Sequence, residues 1–285
     1  MISSSLESEI IIRRNKSWFS FNLKEILEYK DLLWLLVRRD FVARYKQTIL
    51  GPLWAIIQPV LTAAVFTVIF GKVAKVPTDG APQFLFYLNG MLFWQLFAGS
   101  VTAGGNALQN NAALFGKVYF PRFIPSIATQ ITQLIPFGIQ FIIFLSFYLP
   151  YILSPQTQTE FTLVKLLLFP ILLMQVLIFS LGVSICYSAL TAKYRDFQHA
   201  LGFIVQLGMY VTPVIYATTA VPEKWRWMIF LNPMAAPVTT SKWIFLSVES
   251  LNYENLLFSF GITTLVLAIG LFWFNRIQRT FIDTV

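Results

Sequence analysis

The sequence predicts an all-α polytopic membrane protein with six transmembrane helices, an N-terminal amphipathic interface helix, and re-entrant helices between helices 5 and 6. Of the 285 residues, 56% are apolar, 16% are aromatic and only 12% are charged. A soluble domain carries about a quarter charged residues, so much of this chain must be surrounded by lipid. Six uncharged stretches reach the roughly 20 residues that a helix needs to cross a bilayer: 47–71, 80–116, 123–159, 166–192, 200–222 and 255–275.

These stretches divide the chain into three parts. Residues 1–22 form a polar N-terminal segment without the hydrophobic core of a signal peptide, so we expect it to be retained and cytoplasmic. Residues 23–50 are assigned to amphipathic interface helices, and 51–285 to the transmembrane domain. The predicted spans are about 53–71, 84–104, 124–149, 164–190, 200–217 and 255–275.

The distribution of basic residues predicts the orientation of the chain. The net charge is +8, and 15 of the 21 Lys and Arg lie in the first 50 residues, in the loops at 117–122 and 193–195, or after 275. This alternation follows the positive-inside rule and places both termini in the cytoplasm, with the protein in the cytoplasmic (inner) membrane. The basic excess therefore matches anionic lipid headgroups rather than nucleic acid.

The interface region changes from a basic helix to a membrane span at Gly51-Pro52. Asp40 and Arg44 have the spacing of an i,i+4 ion pair. Pro52 disfavours helix in the preceding residue and suits the first turn of the next helix, so the chain should turn here. The apolar face of the interface helix is predicted from three-to-four spacing: Leu33, Trp34, Val37, Phe41, Tyr45 and Ile49.

The segment between helices 5 and 6 is too short and too interrupted to cross. Its uncharged centre, 227–241, spans about 15 residues and contains Pro233 and Pro237. Non-helical backbone survives at membrane depth only against protein or water. Two short helices that enter from the outer face are therefore expected.

No catalytic constellation or metal cluster is evident. His199 is the only histidine and Cys186 the only cysteine, so neither a metal cluster nor a disulfide framework is expected. Ser180 and Ser184 have no nearby base and are interpreted as helix-packing residues. The Gly-Lys pairs are followed by valine, unlike a phosphate-binding loop. We therefore predict that the chain is not an enzyme and that it binds no cofactor itself. If it transports a substrate, another chain must supply the energy.

Four segments together resemble one family. The runs RRDFVARYKQTILGPLWAIIQPVL, LFGKVYFPRFIPS and TAKYRDFQ, and LNP at 231–233, are similar to the transport-permease subunits of type-2 ABC exporters. The likeness is strongest to the branch that exports O-antigen and other lipid-linked polysaccharides. The resemblance implies a homodimer of six-helix subunits served by two separate ATPase subunits, which would bind ATP and Mg.

The resemblance also implies roles for three groups of residues. The first is a cytoplasmic gate or interface helix, for which headgroup anchoring is the open alternative: Arg38, Arg39, Arg44, Tyr45 and Lys46. The second is the element that couples to the ATPase, alternatively an ordinary loop: Leu114, Phe115 and Lys117. The third is the outer re-entrant region: Trp225, Trp227, Asn232 and Pro233.

Aromatic side chains of helix 2 are candidates for lining a channel. Flat aromatic faces offer apolar contact to the C–H groups of a sugar ring, and lipid contact is the alternative for most of them. The candidates are Tyr87, Phe93, Trp94 and Phe97. The sequence thus predicts a permease for lipid-linked polysaccharide, with a permease for a small drug or lipid, or an ATP-independent carrier, as alternatives.

Overall fold

A computed structural model of the chain describes residues 23–46, 48–115, 117, 120–154, 163–193 and 196–277. The N-terminal segment 1–22, most of the predicted outer loop at 150–162, and the residues after 277 lie outside this description. Within the described residues all regular structure is helical, as the sequence predicts.

The helices alternate long apolar segments with short connecting elements. Two 3₁₀ turns, Gly51–Leu53 and Thr218–Ala220, and a π-helical turn, Thr67–Val73, flank the α-helices. The α-helices are α1 (Leu23–Glu28), α2 (Lys30–Tyr45), α3 (Trp54–Phe66), α4 (Gln83–Gly105), α5 (Ala107–Asn110), α6 (Ala112–Phe115), α7 (Phe123–Ile152), α8 (Leu163–Lys193), α9 (Phe197–Val211), α10 (Glu223–Phe230), α11 (Ala235–Leu246) and α12 (Tyr253–Ile277).

Five helical segments of the described chain are long and apolar enough to cross a membrane. They are formed by α3 with its flanking turns, and by α4, α7, α8 and α12. The expected sixth span, about 200–217, corresponds to α9, which ends earlier, at Val211. Thr212 adopts extended backbone before Pro213, because a proline disfavours helix in the residue before it. The expected count of six spans is therefore not confirmed.

Helix α4 occupies the centre of the bundle. In the most apolar stretch of α4, 78% of the residues are buried inside the protein. The corresponding share is 17% for the span that contains α3. It packs against α3, α7, α8, α9 and α11. Glycines permit the close approach: a Cβ at Gly104 would lie 2.7 Å from the Ser184 side chain. Ser180 and Ser184 are fully buried, which confirms them as helix-packing residues.

The turn into the first span is confirmed. Gly51 has a φ of +50°, a left-handed conformation that glycine adopts without the steric cost of a Cβ. Pro52 then lies in the first turn of the 3₁₀ segment that leads into α3. The chain therefore changes direction at one residue, between α2 and the bundle.

The predicted apolar face of α2 is only partly correct. Val37 is buried against α7, but the neighbouring buried residue is Leu36, whereas Trp34 and Ile49 are exposed. The helix ends at Tyr45, so Ile49 does not belong to its face at all. Periodicity alone could not show which of the apolar residues would meet α7.

Candidate functional site

An open groove runs along one side of the bundle. It has a volume of about 860 Å³ and lies between α3, α4 and α7, with the end of α2 at one extremity. One face of α4 and the residue that follows the helix line the groove at three-to-four spacing over roughly 22 Å: Met91, Gln95, Gly99, Thr102 and Asn106.

Glutamines of neighbouring helices are hydrogen-bonded within the groove. Gln140 on α7 donates to Gln95 on α4 over 3.2 Å, and Gln133 donates to the Gly99 carbonyl over 3.1 Å. A Cβ at position 99 would lie 2.9 Å from Gln133 Oε1, so a larger residue there would displace the Gln133 amide. Gln58 of α3 lies on the opposite wall. The groove thus presents amide donors and acceptors from three helices.

The α2 end of the groove carries a positive charge. Arg44 Nη1 donates to Gln133 Oε1 over 3.1 Å, and Tyr45 lines the groove beside it. The predicted Asp40–Arg44 pair does not form, because Asp40 pairs instead with Arg39 at 2.7 Å. The side-chain amide oxygen of Asn106, Oδ1, is buried without a partner in the described chain. This end can therefore bind an anionic or hydrogen-bonding group.

Aromatic rings complete the lining. Trp54, Trp94 and Phe137 face the groove from three different helices. Trp94 also packs on α9, where a Cβ at Gly208 would lie 2.9 Å from its ring. Rings beside amides suit a ligand with apolar and hydroxyl-bearing faces, such as a sugar chain.

All four channel candidates lie in the core of the subunit, and of them only Trp94, which is 5% exposed, also lines this groove. Tyr87 and Phe93 are fully buried, and the ring centroids of Phe93 and Phe137 lie 5.9 Å apart. Phe97 stacks on Phe179 with ring centroids 5.3 Å apart. The structure therefore does not bring the four together on one surface.

The coupling candidates divide into a packed pair and an exposed lysine. The ring of Phe115 stacks on that of Phe120 at 5.0 Å, and Leu114 packs beside it against a cluster from α2 and α7. Lys117 is exposed. Helix α6 thus packs against the same apolar cluster to which α2 contributes.

The basic residues of α2 also divide. Arg38, Arg39 and Lys46 are exposed, and the structure places none of them on the groove lining. Arg44 and Tyr45 do line it. The interface helix therefore presents a basic outer surface and one arginine at the groove.

The predicted outer residues have two kinds of environment. Trp225 and Trp227 on α10 are exposed. Asn232 donates to the Thr212 hydroxyl over 2.7 Å and accepts from the Met234 backbone N–H, and the Pro233 carbonyl accepts from Ser259. The turn between α10 and α11 is therefore fastened to the end of α9 and to α12.

A buried lysine was missed by the sequence reasoning. Lys242 on α11 is fully buried, and its ammonium donates to the Pro213 carbonyl over 2.6 Å and lies 3.5 Å from the centroid of the Phe86 ring. The carbonyls of Val214 and Tyr216 lie at 3.4 Å. An ammonium can satisfy these carbonyls where α9 is broken.

The glutamines were also missed, although the sequence holds a signal for them. In α7 the polar residues Gln130, Gln133 and Gln140 recur at helical spacing, and all are buried. Polar side chains on one face of a membrane helix turn towards protein rather than lipid. The signal for Lys242 is weaker, because its carbonyl partners belong to a distant segment.

Comparison with known proteins agrees with this architecture. Residues 31–246 match the ABC-2 type transporter family. Two Klebsiella pneumoniae proteins named O-antigen export system permease protein RfbA are 29% and 30% identical over 265 residues, covering 93% of this chain and 99% of each relative. A Myxococcus xanthus protein of the same name is 29% identical over 225 residues, covering 78% of this chain and 83% of the relative. The chain is a multi-pass membrane protein that belongs to the ABC-2 type transporter family.

Proposed function

We propose that this chain is the transmembrane permease subunit of an ATP-binding cassette exporter that moves lipid-linked, O-antigen-like polysaccharide outward across the cytoplasmic membrane. The observation that carries the proposal is the polar, aromatic-edged groove along α4. The names of the Klebsiella and Myxococcus relatives support the cargo.

The groove chemistry fits a passive conduit for sugars. Side-chain amides such as Gln95 and Gln140 both donate and accept, and so do sugar hydroxyls. The exposed Trp54 ring offers a flat apolar face on which a pyranose can slide. Arg44 at the α2 end would contact the anionic pyrophosphate of the lipid carrier.

A second copy of the chain would close the groove. Polar side chains such as Gln58 and Thr102 line a cavity that is open to one side at membrane depth. Such groups are costly against hydrocarbon, so protein or water must cover them. In a homodimer whose two grooves face one another, the partner subunit would cover these groups and would enclose water between the grooves.

Energy would enter through α6. Two separate ATPase subunits, which bind ATP and Mg, would press on the element that contains Leu114, Phe115 and Lys117. The stack of Phe115 on Phe120 and its contacts with the α2–α7 cluster would pass the movement to α2. The exposed Arg38 and Arg39 would serve as membrane anchor or gate.

The membrane arrangement follows from this assignment. Helix α9 with residues 212–217 would make the sixth crossing, so both termini would lie on the same side of the membrane, and the basic residues favour the cytoplasmic side. Helices α10 and α11 are 8 and 12 residues long, too short to cross, and would be re-entrant from the outer face.

The function is tested by deleting the gene and then restoring it with groove variants. Polymer should accumulate in the cytoplasm of the deletion strain. Gln140→Leu should restore export poorly because it removes an amide from the groove, whereas Gln206→Leu, on the exposed side of α9, should restore it fully. Normal surface polysaccharide in the deletion strain would overturn the proposal.

One observation favours a second candidate, a permease for a small drug or lipid. The groove volume of 860 Å³ lies within the roughly 300–1,000 Å³ of pockets for drug-sized ligands. Changed drug sensitivity with intact surface polymer would support that candidate. An ATP-independent carrier would instead purify in mild detergent without an ATPase partner.

A further inference from the structure

A second cavity lies at the opposite end of the molecule from α2. It has a volume of about 180 Å³ and is enclosed by α10, α11, the start of α12 and the 3₁₀ turn at Thr218–Ala220. None of its lining residues lines the groove along α4. Under the proposed orientation it faces the outside, where a polymer would leave the transporter.

The cavity is built around a fixed carboxylate and a fixed guanidinium. Glu249 accepts from the Thr218 backbone N–H over 3.2 Å and from the Thr218 hydroxyl over 3.0 Å. Arg226 Nε donates to the Val221 carbonyl over 3.0 Å. Glu249 has a φ of +67°, an uncommon conformation for a non-glycine residue. The structure thus holds both charged groups in place before any ligand binds.

Other polar groups in the cavity are free to bind a ligand. The Thr240 hydroxyl and the Asn255 side-chain amide have no hydrogen-bond partner within the described residues, although Thr240 is only 5% exposed. Two other threonines of these helices, Thr239 and Thr264, donate to a carbonyl one turn earlier. Both groups line the cavity, so each can exchange hydrogen bonds with a ligand that enters it.

The lining chemistry selects among ligand classes. One carboxylate is too few for a metal site, and the described chain contains no cluster of three metal-ligating side chains. A phosphate would meet the Glu249 carboxylate. The volume is below the roughly 300 Å³ at which drug-sized pockets begin. A sugar ring fits, because its hydroxyls match a carboxylate, a guanidinium and an amide, and its C–H face can contact Phe230.

From this arrangement we infer that the cavity lined by Arg226, Phe230, Thr240, Glu249 and Asn255 binds one neutral sugar residue of the polymer at the outer face. The inference rests on the proposed function and deepens it. A ring bound there holds the emerging chain, so that the chain advances outward instead of slipping back between cycles of the ATPase.

The test measures direct binding of methyl glycosides of neutral hexoses to the full-length protein in lipid nanodiscs, by saturation-transfer NMR. Wild type should bind at least one of them, and methyl glucuronide should bind less well because its carboxylate meets Glu249. Thr240→Val and Asn255→Ala should each weaken binding roughly three- to tenfold, as expected for one lost hydrogen bond. Thr264→Val, on the exposed side of α12, is the matched control and should leave binding unchanged.

Export in cells separates this inference from the proposed function. Wild-type protein that exports polymer but binds none of the glycosides, or binds them equally in the cavity variants and in the control, overturns the sugar site alone. Normal surface polymer in the deletion strain overturns the proposed function. If Thr240→Val does not reach the membrane, Asn255→Ala decides the outcome, because Asn255 lies half-buried at the first turn of α12.

Discussion

Gly90 allows the break after α9 to lie against α4. A Cβ built on Gly90 would lie 2.8 Å from the Val214 carbonyl oxygen and 3.3 Å from its Cα, whereas ordinary contacts begin at 3.4 Å. The obstacle is backbone, and the Lys242 ammonium holds the same loop through the Pro213 carbonyl. Gly90→Ala must therefore push the loop away by several tenths of an ångström.

The size of the effect follows from comparison with a second glycine. Gly138 on α7 has open space around the position of a Cβ. Gly138→Ala should therefore raise the free energy of unfolding by about 1 kcal/mol, through helix propensity alone. Gly90→Ala gains the same stabilisation from helix propensity, but the steric clash lowers its free energy of unfolding by roughly 1–3 kcal/mol. The propensity terms cancel in the difference between the two variants. That difference isolates the close approach of the loop to α4.

The assay is thermal unfolding of both variants in the same detergent. At about 2–4 °C per kcal/mol for a chain of this order of size, Gly90→Ala should melt several degrees below Gly138→Ala. The Gly90 variant should also export less, because its loop continues to the outer hairpin. Equal melting temperatures would show that the loop yields freely and that the close approach is not structurally important.

Three further predictions concern the partner-facing end and the buried cation. Phe115→Asp should reduce export without preventing membrane insertion, since a carboxylate replaces a packed ring. Surface polymer measures export, and immunoblots of the membrane fraction measure insertion. Unchanged export in a stably expressed variant would show that Phe115 takes no part in coupling. Charge reversal at Arg38 and Arg39 separates their roles: lost insertion identifies an anchor, and normal insertion with lost export identifies a gate. Lys242→Met should lower the melting temperature, because each carbonyl left unpaired costs about 1–3 kcal/mol. The exposed Lys224→Met is its control, and equal melting of the two would contradict the carbonyl role.

Local chemistry explains which parts of the fold could be predicted. Long uncharged runs must be helices in a bilayer, and Gly51-Pro52 must turn because one residue tolerates a left-handed conformation and the next lacks an N–H. The end of α9 at Val211 also follows from Pro213. These features depend on residues that are neighbours in sequence.

Features that depend on distant segments were not predictable in the same way. The exposure of Trp34 and the burial of Leu36 follow from the position of α7, which the α2 sequence does not encode. Tyr87 and Phe93 are apolar enough for a channel wall or a core, and only the central position of α4 decides between them. The partners of Lys242 come from more than 25 residues earlier in the chain.

The α2 helix is held at two points, and this makes it a route for force. Near its middle, Leu36 packs into the cluster that also receives Phe115, and near its end Arg44 is hydrogen-bonded to Gln133 in the groove. Movement imposed on α6 by a partner would therefore reach the groove through α2. The connection between α2 and α3 is short and turns at Gly51, so displacement of α2 would tilt the wall of the groove that carries Gln58. Opening and closing of the conduit would then require no rearrangement inside the tightly packed core around α4.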